Sequence, residues 1–253
     1  MERPLQDPNL PQRQVRFCIA ALPRQAEDRL LKAGVAVLSP LPDFHLPPEE
    51  QTHADLLFCH PGGSRLFLAP SQTRLQRILE ERGFSPVVAG SPGCAYPADI
   101  GLNVAVGDDF AAGNFRYCEP LLLSALREQK KKLIQVRQGY AKCSLCFVSD
   151  RAFITEDAGI AKALRSQGAD VLGITKGDVY LSERHYGFFG GAAGKIAPDV
   201  LAVNGSLNTH QNGKEIIGFL SAHGVAPLEL QDGQISDVGG ILPLTEEGTE
   251  ENV

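Results

Sequence analysis

The sequence predicts an α/β fold of five repeated units, and two patterns along the chain predict it. The first is a helix-then-strand segment that begins five times, at Gln25, Thr73, Glu119, Asp157 and Lys214. The second is an Asp or Ser followed by an apolar residue at the start of five candidate strands: Asp55-Leu56, Asp99-Ile100, Ser144-Leu145, Asp199-Val200 and Asp237-Val238. Repeated units of this length bury their apolar faces against their neighbours.

The helices are predicted by the spacing of their apolar residues, which fall three or four apart along one face. A glycine or a run of lysines ends each helix, and a short apolar strand follows, as in TRLQRILEERGFSPVVA from Thr73. We therefore expect five amphipathic helices, each covering one face of a strand.

The candidate strands are 44, 45, 55 and 38 residues apart. Side chains alternate between the two faces of a strand, so Leu56 and its equivalents should face the helices while the Asp and Ser side chains face the other way. The strand at Asp237 has no helix after it, and the helix at Gln25 has no Asp strand before it. We expect the two ends of the chain to complete one unit together.

Two architectures fit these units equally well on periodicity alone. One is a closed five-bladed α/β propeller of repeated strand-helix-strand units, and the other is a three-layer α/β domain with a mixed sheet. In either case we expect a single domain over residues 15–245, a flexible N-terminal segment over 1–14 and a flexible acidic tail over 246–253.

Composition excludes several classes of protein. A net charge of -6 gives no general basic surface for nucleic acid, and the one basic run is Lys130-Lys131-Lys132. No apolar segment is long enough to cross a bilayer, and the polar, proline-rich start is unlike a signal peptide. Six cysteines in a chain with a large core are typical of reduced thiols. We expect a cytoplasmic protein of undetermined oligomeric state.

Five stretches carry a resemblance to a known family: HADLLFCHPGG, YPADIGLNVAV, GYAKCSLCFVSDRAFITEDAGI, GFFGGAAGK and ISDVGGILPL. Through them, roughly residues 15 to 245 resemble an uncharacterised bacterial family of the pentein superfamily, which has the guanidino-group-modifying-enzyme fold. That superfamily includes arginine and agmatine deiminases, dimethylarginine hydrolases and amidinotransferases. The resemblance implies a pentein-like five-bladed α/β propeller.

The resemblance also implies catalytic groups, and the chain departs from them. Those enzymes use a cysteine nucleophile, a histidine acid/base and carboxylates that grip the guanidinium, often with a terminal Gly-Gly-x-His-Cys-x-Thr motif. Here the segment from Gly239 to Thr245 has Leu242 and Pro243 in place of His and Cys. Proline cannot act as a nucleophile, so the usual covalent mechanism is absent at this position. His53-Ala54-Asp55 has the His-x-Asp form of the family, but in the first Asp strand.

Polar residues on the Asp side of the strands predict an acidic central cavity. A guanidinium presents five donors in a planar fork and suits carboxylates well, so we expect a cationic, arginine-like small molecule as the ligand. The alternative is that single Asp side chains cap turns at strand starts. The candidate substrate-binding residues are Asp55, Asp99, Asn103, Lys142, Ser144, Asp199, Asn204 and Asp237.

Cys146 and His53 are the candidate catalytic residues. Strand alternation places Cys146 on the same face as Lys142, whose ammonium would lower the pKa of the thiol and favour the nucleophilic thiolate. The alternative for Cys146 is a packed core position beside Phe147. His53 is the candidate acid/base.

No metal or cofactor is expected. In a strand, the thiols of Cys143-x-x-Cys146 point to opposite faces, and the histidines at 45, 53, 60, 185, 210 and 223 show no compact ligand spacing. GFFGGAAGKI lacks the first glycine and the Ser/Thr of a Walker loop, so its glycines more simply permit a turn or a close backbone approach.

Two functions remain open. The first is an enzyme that binds or modifies a guanidino compound, as a hydrolase or transferase, with a non-standard site. The second is a noncatalytic pentein that binds a small ligand or a protein partner, which the missing His-Cys pair favours. A thiol within reach of a base in the cavity would distinguish the first from the second.

Overall fold

The computed structural model describes residues 2–183 and 185–248. The chain begins with β1 (Glu2–Pro4), β2 (Val15–Ile19), α1 (Arg24–Lys32) and β3 (Ala36–Leu38). Then come α2 (Ala54–Leu57), β4 (Phe58–Gly62), β5 (Arg65–Leu68), α3 (Gln76–Glu80) and β6 (Ser85–Val88). They are followed by β7 (Ala105–Val106), β8 (Phe110–Gly113), α4 (Pro120–Glu128) and β9 (Lys132–Gln135). The next elements are β10 (Cys146–Phe147), β11 (Ala152–Thr155), α5 (Ala158–Arg165) and β12 (Asp170–Gly173). The last are β13 (Ala193–Ala197), β14 (Val200–Val203), α6 (Gly213–Ala222), β15 (Ala226–Glu229) and β16 (Leu242–Glu247).

Four small sheets share one topology. Sheet A has the order β4-β5-β6, sheet B β7-β8-β9, sheet C β10-β11-β12 and sheet D β13-β14-β15. In each sheet the first two strands pair antiparallel, and the third pairs parallel with the second after a helical segment. The five predicted helix-then-strand segments are confirmed.

Helix α5 illustrates why these segments are helical. It buries Ile160, Ala161 and Leu164 on one face, at the three- and four-residue spacing of a helix. The Asp157 carboxylate accepts a hydrogen bond of 2.8 Å from the backbone N–H of Ile160 and so caps the first turn.

The fifth sheet, sheet E, joins the two ends of the chain in the order β1-β16-β2-β3. Leu242 of β16 lies opposite Ile19 of β2, which confirms that the two ends complete one unit. Glu2 of β1 lies opposite Glu247 on the other edge, and Leu5 and Leu10 are buried.

The domain boundaries predicted at residues 15 and 245 therefore cut through one sheet. The N-terminal segment over 1–14, predicted to be flexible, instead contributes a paired strand and buried side chains from residue 2 onward. The strand that was expected to end at 245 continues to Glu247, and residues 249–253 of the predicted tail lie outside the described residues.

The core consists of five apolar clusters that lie between sheets rather than within them. The A–B cluster includes Phe67 and Val106, and the B–C cluster includes Phe110 and Phe153. The C–D cluster includes Ile154 and Leu201, the D–E cluster Ala202 and Cys18, and the E–A cluster Phe17 and Leu66. Each sheet thus packs against the preceding and the following one, and the terminal sheet packs against the first.

The predicted Asp-first strands are wrong in detail. Asp55 and Leu56 lie in helix α2, and Asp99 and Ser144 lie in turns ahead of the first strand of a sheet. Asp237 lies in an irregular segment ahead of β16. Asp side chains favour such positions because they bond to nearby backbone groups. The strand alternation assumed for Leu56, Ile100 and Leu145 therefore does not apply. We call these segments, residues 53–57, 96–104, 140–145, 187–192 and 237–241, the entry turns.

Asp199 differs from the other members of the pattern. It is exposed in the connection between β13 and β14, inside the hairpin of sheet D. The entry turn of that sheet contains Gly191 instead. With Gly191 in place of Asp199, the spacings 44, 45, 55 and 38 become 44, 45, 47 and 46.

Within residues 2–183 and 185–248, no helix has both the length and the apolar character that a membrane span requires.

Candidate active site at the entry turns

A cavity of about 520 Å³ is bordered by all five entry turns. Its polar wall includes Glu50, His53, Asp99, Cys143 and Asp237, and its apolar wall is largely aromatic. The rings of Tyr96, Tyr140, Phe188 and Tyr186 form a chain of contacts with centroid separations of 5.8, 6.3 and 6.2 Å. A cavity with acidic and aromatic walls suits a cation.

Three buried side chains form a tight cluster, and two of them, His53 and Cys143, line this cavity. The Cys143 thiol donates to Asp55 Oδ2 at 2.7 Å. A His53 ring nitrogen, an Asp55 oxygen and the Cys143 sulfur all lie within 4.8 Å of one another. The cluster offers a nucleophile, a base and a carboxylate in one place, and these same atoms could also ligate a metal ion.

Asn103 holds the entry turns of sheets A and C together. Its Oδ1 accepts the backbone N–H of Lys142 at 2.7 Å, and its Nδ2 donates to the backbone oxygen of Asp55 at 3.1 Å. Nδ2 also lies 3.3 Å from the sulfur of Cys143. Asn103 is 1% exposed, so its amide positions the cluster and does not face the cavity.

Asp237 is held by backbone donors beside His53. Its Oδ2 accepts the N–H of Phe188 at 2.8 Å, and its Oδ1 accepts the N–H of Gly239 at 2.9 Å. Oδ1 lies 4.0 Å from His53 Nδ1. The Asp237 carboxylate is therefore fixed close to the His53 ring, at a distance too long for a direct hydrogen bond.

Two glycines permit this close packing. A Cβ on Gly191 would lie 2.1 Å from Asp237 Oδ1. Gly239 has a φ of +76°, and a Cβ there would lie 2.3 Å from the Cα of His53. The glycines of the GFFGG run thus permit the close backbone approach that was predicted from the glycine content of this segment.

Several carboxyl oxygens in this region are buried without a hydrogen-bond donor. They are Asp55 Oδ1, Asp99 Oδ1 and Glu50 Oε2. The other Asp99 oxygen accepts the Tyr140 hydroxyl at 2.6 Å. Buried acceptors without donors are rare in folded proteins, and a cationic ligand with several N–H groups would supply the missing bonds.

Burial raises the pKa values of three groups in this region, Asp55, Glu50 and Cys143. It raises the pKa of Asp55, which the Asp237 charge raises further, whereas His53 and Lys142 oppose the shift. Burial raises the pKa of Glu50 to about 7, and the charges of Asp99 and Asp55 add to it. Burial, Asp55 and Asp237 together raise the pKa of the Cys143 thiol well above its usual value. A bound cation would offset these charges and lower all three pKa values.

Lys142 lies beside the cluster. A Cβ placed on Gly240 would be 3.6 Å from Lys142 Nζ and 3.8 Å from Asp55 Oδ2, so the two charged groups face the same point. Lys142 is 7% exposed, and its ammonium partly balances the Asp55 charge.

The structure brings together six of the residues proposed from sequence: His53, Asp55, Asp99, Asn103, Lys142 and Asp237. Ser144 is buried and does not line the cavity. Asn204 bonds instead to the Ser236 backbone oxygen at 3.0 Å and to the Gln231 amide at 3.0 Å. Asp199 is exposed in its hairpin.

Cys146 lies in β10 and packs in the C–D core cluster. Burial raises the pKa of its thiol to about 12, although Lys142 opposes the shift. Its environment is that of the packed core cysteine kept as the alternative. Cys143, three residues earlier, lines the cavity instead.

Cys143, Glu50 and Tyr140 were missed from the sequence. Cys143 was discounted because residues 142–146 were taken as a strand, whereas a turn ends at Leu145. Gly139 directly before Tyr140 was the available sign of a turn. Glu50 carries no pattern of its own, because only the folded chain brings it near Asp99.

Solved structures with the same fold are enzymes of guanidino chemistry by name. Agmatine deiminase from C. jejuni aligns with a TM-score of 0.56 at 12% identity, over 89% of this chain and 90% of that one. Inosamine-phosphate amidinotransferase from Streptomyces griseus aligns with a TM-score of 0.59 at 12% identity, over 95% and 96%. Dimethylarginine dimethylaminohydrolase from Pseudomonas aeruginosa, in complex with citrulline, aligns with a TM-score of 0.53 at 10% identity, over 92% and 99%. All three are penteins, and the chain has the pentein fold.

Residues 20–242 match the model of DUF6873, which is described as a family of unknown function. Among curated proteins, no significant match is found.

Proposed function

Because the chain belongs to DUF6873 and has the pentein fold, we propose that its cavity binds a guanidino or arginine-like cation and that Cys143 and His53 act on the bound group. One observation carries this proposal: a thiol, an imidazole and a carboxylate lie within 4.8 Å in a cavity with buried, donor-free carboxyl oxygens.

Recognition rests on the carboxyl groups. Asp55 Oδ1, Asp99 Oδ1 and Glu50 Oε2 each lack a donor, and a guanidinium has five N–H groups in one plane. Asp237, which also lines the cavity, adds negative charge beside His53. The aromatic wall of Tyr96, Tyr140 and Phe188 excludes water from the face of the bound group.

The thiol is activated by its substrate. In the free protein burial raises the pKa of the Cys143 thiol, and the charges of Asp55 and Asp237 raise it further. A cation bound between these carboxylates offsets their charges, and His53 takes the thiol proton. The thiolate adds to the guanidino carbon, a C–N bond breaks, and His53 returns the proton to the leaving amine. Water then cleaves the C–S bond in a hydrolase, or a second amine does so in a transferase.

Cys143 therefore replaces Cys146 as the proposed nucleophile. Asn103 is a positioning residue, and Lys142 balances charge at Asp55. Ser144, Asp199 and Asn204 have no part in the proposed site.

We also propose the closed five-bladed α/β propeller rather than the three-layer arrangement. The core clusters join A to B, B to C, C to D, D to E and E to A, and this cyclic order supports a ring. The entry turns then meet at the centre, where the cavity lies. The six free thiols fit the reducing cytoplasm expected from the sequence.

A noncatalytic role is the second candidate, and the terminal strand favours it. Pro243, in the position where the family enzymes have their cysteine, pairs with Cys18 inside sheet E. In this second reading the cavity binds a cation and no covalent step follows.

A thermal-shift titration tests binding. Arginine, agmatine and methylated arginines are added separately, and a ligand at about 100 times its Kd should stabilise the fold by about 2.7 kcal/mol. Asp99→Asn keeps an acceptor for Tyr140 but removes the charge, so it should abolish most of the shift. Asp199→Asn, on the exposed hairpin, is the matched control and should shift like the wild type. The absence of a shift for the whole panel would contradict the proposed ligand class.

Turnover is tested with the compound that gives the largest shift. Ammonia or transferred-amidino product should appear with the wild type and with Cys146→Ala, and should be absent with Cys143→Ala. Mass spectrometry of quenched reactions should find the substrate-derived adduct on the peptide containing Cys143. A saturable thermal shift with neither product nor adduct would support the noncatalytic reading instead.

A further inference from the structure

We propose that His53, Asp55 and Cys143 form a zinc site in the cavity, with a fourth coordination position open to the cavity. The inference goes beyond the guanidino chemistry above, because it concerns a different ligand of the same cluster and requires no turnover.

The ligand atoms are arranged as a compact triangle. An imidazole nitrogen, a carboxylate oxygen and a thiol sulfur lie within 4.8 Å of one another, and all three residues are buried. Zinc bonds of about 2.0 to 2.3 Å require tetrahedral ligands separated by about 3.3 to 3.8 Å. The 2.7 Å contact between Cys143 and Asp55 opens when the thiol proton is replaced by the metal. The other two distances, which are at most 4.8 Å, need to close by no more than about 1.5 Å.

Two further observations point to a ligand here. Asp55 Oδ1 is buried with no donor, so this carboxylate has an unused acceptor beside the cluster. His53 and Cys143 both line the cavity, so water or a ligand can reach the fourth position. Three protein ligands plus one open position is the arrangement of catalytic rather than structural zinc sites.

A second layer of groups holds the ligands. Asp237 Oδ1 lies 4.0 Å from His53 Nδ1 and can orient the imidazole. Asn103 Nδ2 lies 3.3 Å from the sulfur, and the backbone N–H of Asp55 donates to the Gly239 carbonyl at 3.0 Å. Such outer contacts fix the ligand geometry and raise metal affinity.

The donor set selects the metal. Sulfur and imidazole ligands favour zinc over magnesium and calcium, which prefer oxygen. The Asp55 carboxylate and a Cys143 thiolate together match the charge of a divalent ion. One proton leaves Cys143 for solvent as each ion binds.

Zinc and a guanidino cation need the same thiol and carboxylate, so each should exclude the other. Zinc binding is nevertheless measurable in a protein that turns over no substrate. A failure of the guanidino proposal therefore leaves the zinc site intact, and the reverse also holds.

The experiment uses the Cys94→Ser protein, because Cys94 is an exposed thiol at the cavity wall that could bind zinc by itself. Calorimetric titration with zinc chloride should give one ion per chain. Cobalt chloride should produce the ultraviolet thiolate-to-cobalt charge-transfer band. In the same background, Cys143→Ser and His53→Gln should each weaken binding at least tenfold, and Cys146→Ala should not. Absent binding, or unchanged binding in Cys143→Ser, overturns the site.

A measurement on the wild-type protein covers the case in which buried variants fail to fold. Zinc should slow iodoacetamide labelling of Cys143 at least tenfold by peptide mass spectrometry, and millimolar magnesium should leave it unchanged. Addition of excess EDTA to the zinc-treated sample should restore the labelling rate, which excludes loss of the reagent or damage to the protein. Equal labelling of Cys143 with and without zinc would also overturn the proposal.

Discussion

Two cysteines three residues apart have different environments in this protein. Cys143 contacts Asp55 and lines the cavity, while Cys146 packs in the C–D cluster. Both thiols are buried, so burial alone does not distinguish them. The carboxylates near Cys143 distinguish the two thiols. A bound cation can offset the carboxylate charges near Cys143, whereas no ligand can remove the apolar packing around Cys146.

Removing one of these charges should expose the difference. Asp55→Asn keeps an oxygen that accepts the thiol but removes a charge that raises the Cys143 pKa. The pKa should fall, and the rate of Cys143 alkylation at pH 8 should rise several-fold because the thiolate is the reactive form. Peptide mass spectrometry measures the rate, with Cys94 as the internal standard and Asp199→Asn as the matched variant. An unchanged or slower rate would show that Asp55 does not control the thiol.

Glu156 gives a prediction about stability and pH. It is 7% exposed, its Oε1 accepts the Phe189 N–H at 2.5 Å, and burial raises its pKa from 4.5 to about 8. Between these values the folded chain binds a proton that the unfolded chain lacks. This contribution to the free energy of unfolding is fully present below pH 4.5, declines as pH rises and is lost above about pH 8.

Glu156→Gln keeps the acceptor without the charge. Relative to the wild type, its free energy of unfolding should therefore increase by about 2 kcal/mol or more between pH 5 and pH 9. Urea unfolding at the two pH values measures this change. Glu80 is exposed and supplies the control, because Glu80→Gln should have the same free energy of unfolding as the wild type at both pH values. If the free energies of unfolding of Glu156→Gln and the wild type differed by the same amount at both pH values, the raised pKa of Glu156 would be contradicted.

At the scale of elements, the entry turns rather than the strands carry the site. Gly239 must be glycine for two separate reasons, its φ of +76° and the closeness of His53. Gly168 shares only the first, with a φ of +82° and no other atom within 4 Å of the place that a Cβ would occupy.

The pair of substitutions separates conformation from packing. Gly168→Ala should lower the free energy of unfolding by about 1 kcal/mol, the cost of a left-handed conformation. Gly239→Ala should cost at least about 2 kcal/mol more, because the backbone at His53 must also shift. Chemical unfolding gives both values, and zinc affinity should fall only in Gly239→Ala. Similar losses of unfolding free energy in the two variants would mean that the close contact between residue 239 and the His53 backbone adds no cost of its own.

The elements also show what the sequence could predict. Helices such as Ala158–Arg165 have a 3.6-residue apolar period, which local sequence reveals directly. The entry turns have no period, and an Asp before an apolar residue occurs both ahead of a sheet, as at Asp237, and inside a hairpin, as at Asp199. Gly191 is invisible to a search for carboxylates. The sequence therefore predicted an acidic cavity, but it predicted neither the Cys143 thiol nor the entry turn of sheet D.

At the scale of the whole molecule, the two ends of the chain meet around one buried carboxylate. Glu246 is 1% exposed, and its Oε2 accepts the backbone N–H groups of Gln12 at 2.7 Å and Arg13 at 2.9 Å. Its Oε1 pairs with Arg3 at 3.0 Å. The contacts span more than 230 positions, so no local pattern could have revealed that residues 2–14 belong to the packed body.

Deleting residues 1–13 tests this closure. The deletion removes all three donors to Glu246 and leaves a buried charge unpaired, so the free energy of unfolding should fall by about 3 kcal/mol or more. Glu246→Gln should destabilise the full chain, where it breaks the Arg3 pair, but should partly restore the shortened chain, where it removes the unpaired charge. Glu247→Gln, at the more exposed neighbour, should restore nothing. Chemical unfolding of the six proteins gives the sign of each effect. Because a segment that merely lay on the surface would give the same effect of Glu246→Gln in both chains, only a reversal of sign supports closure by the N-terminus.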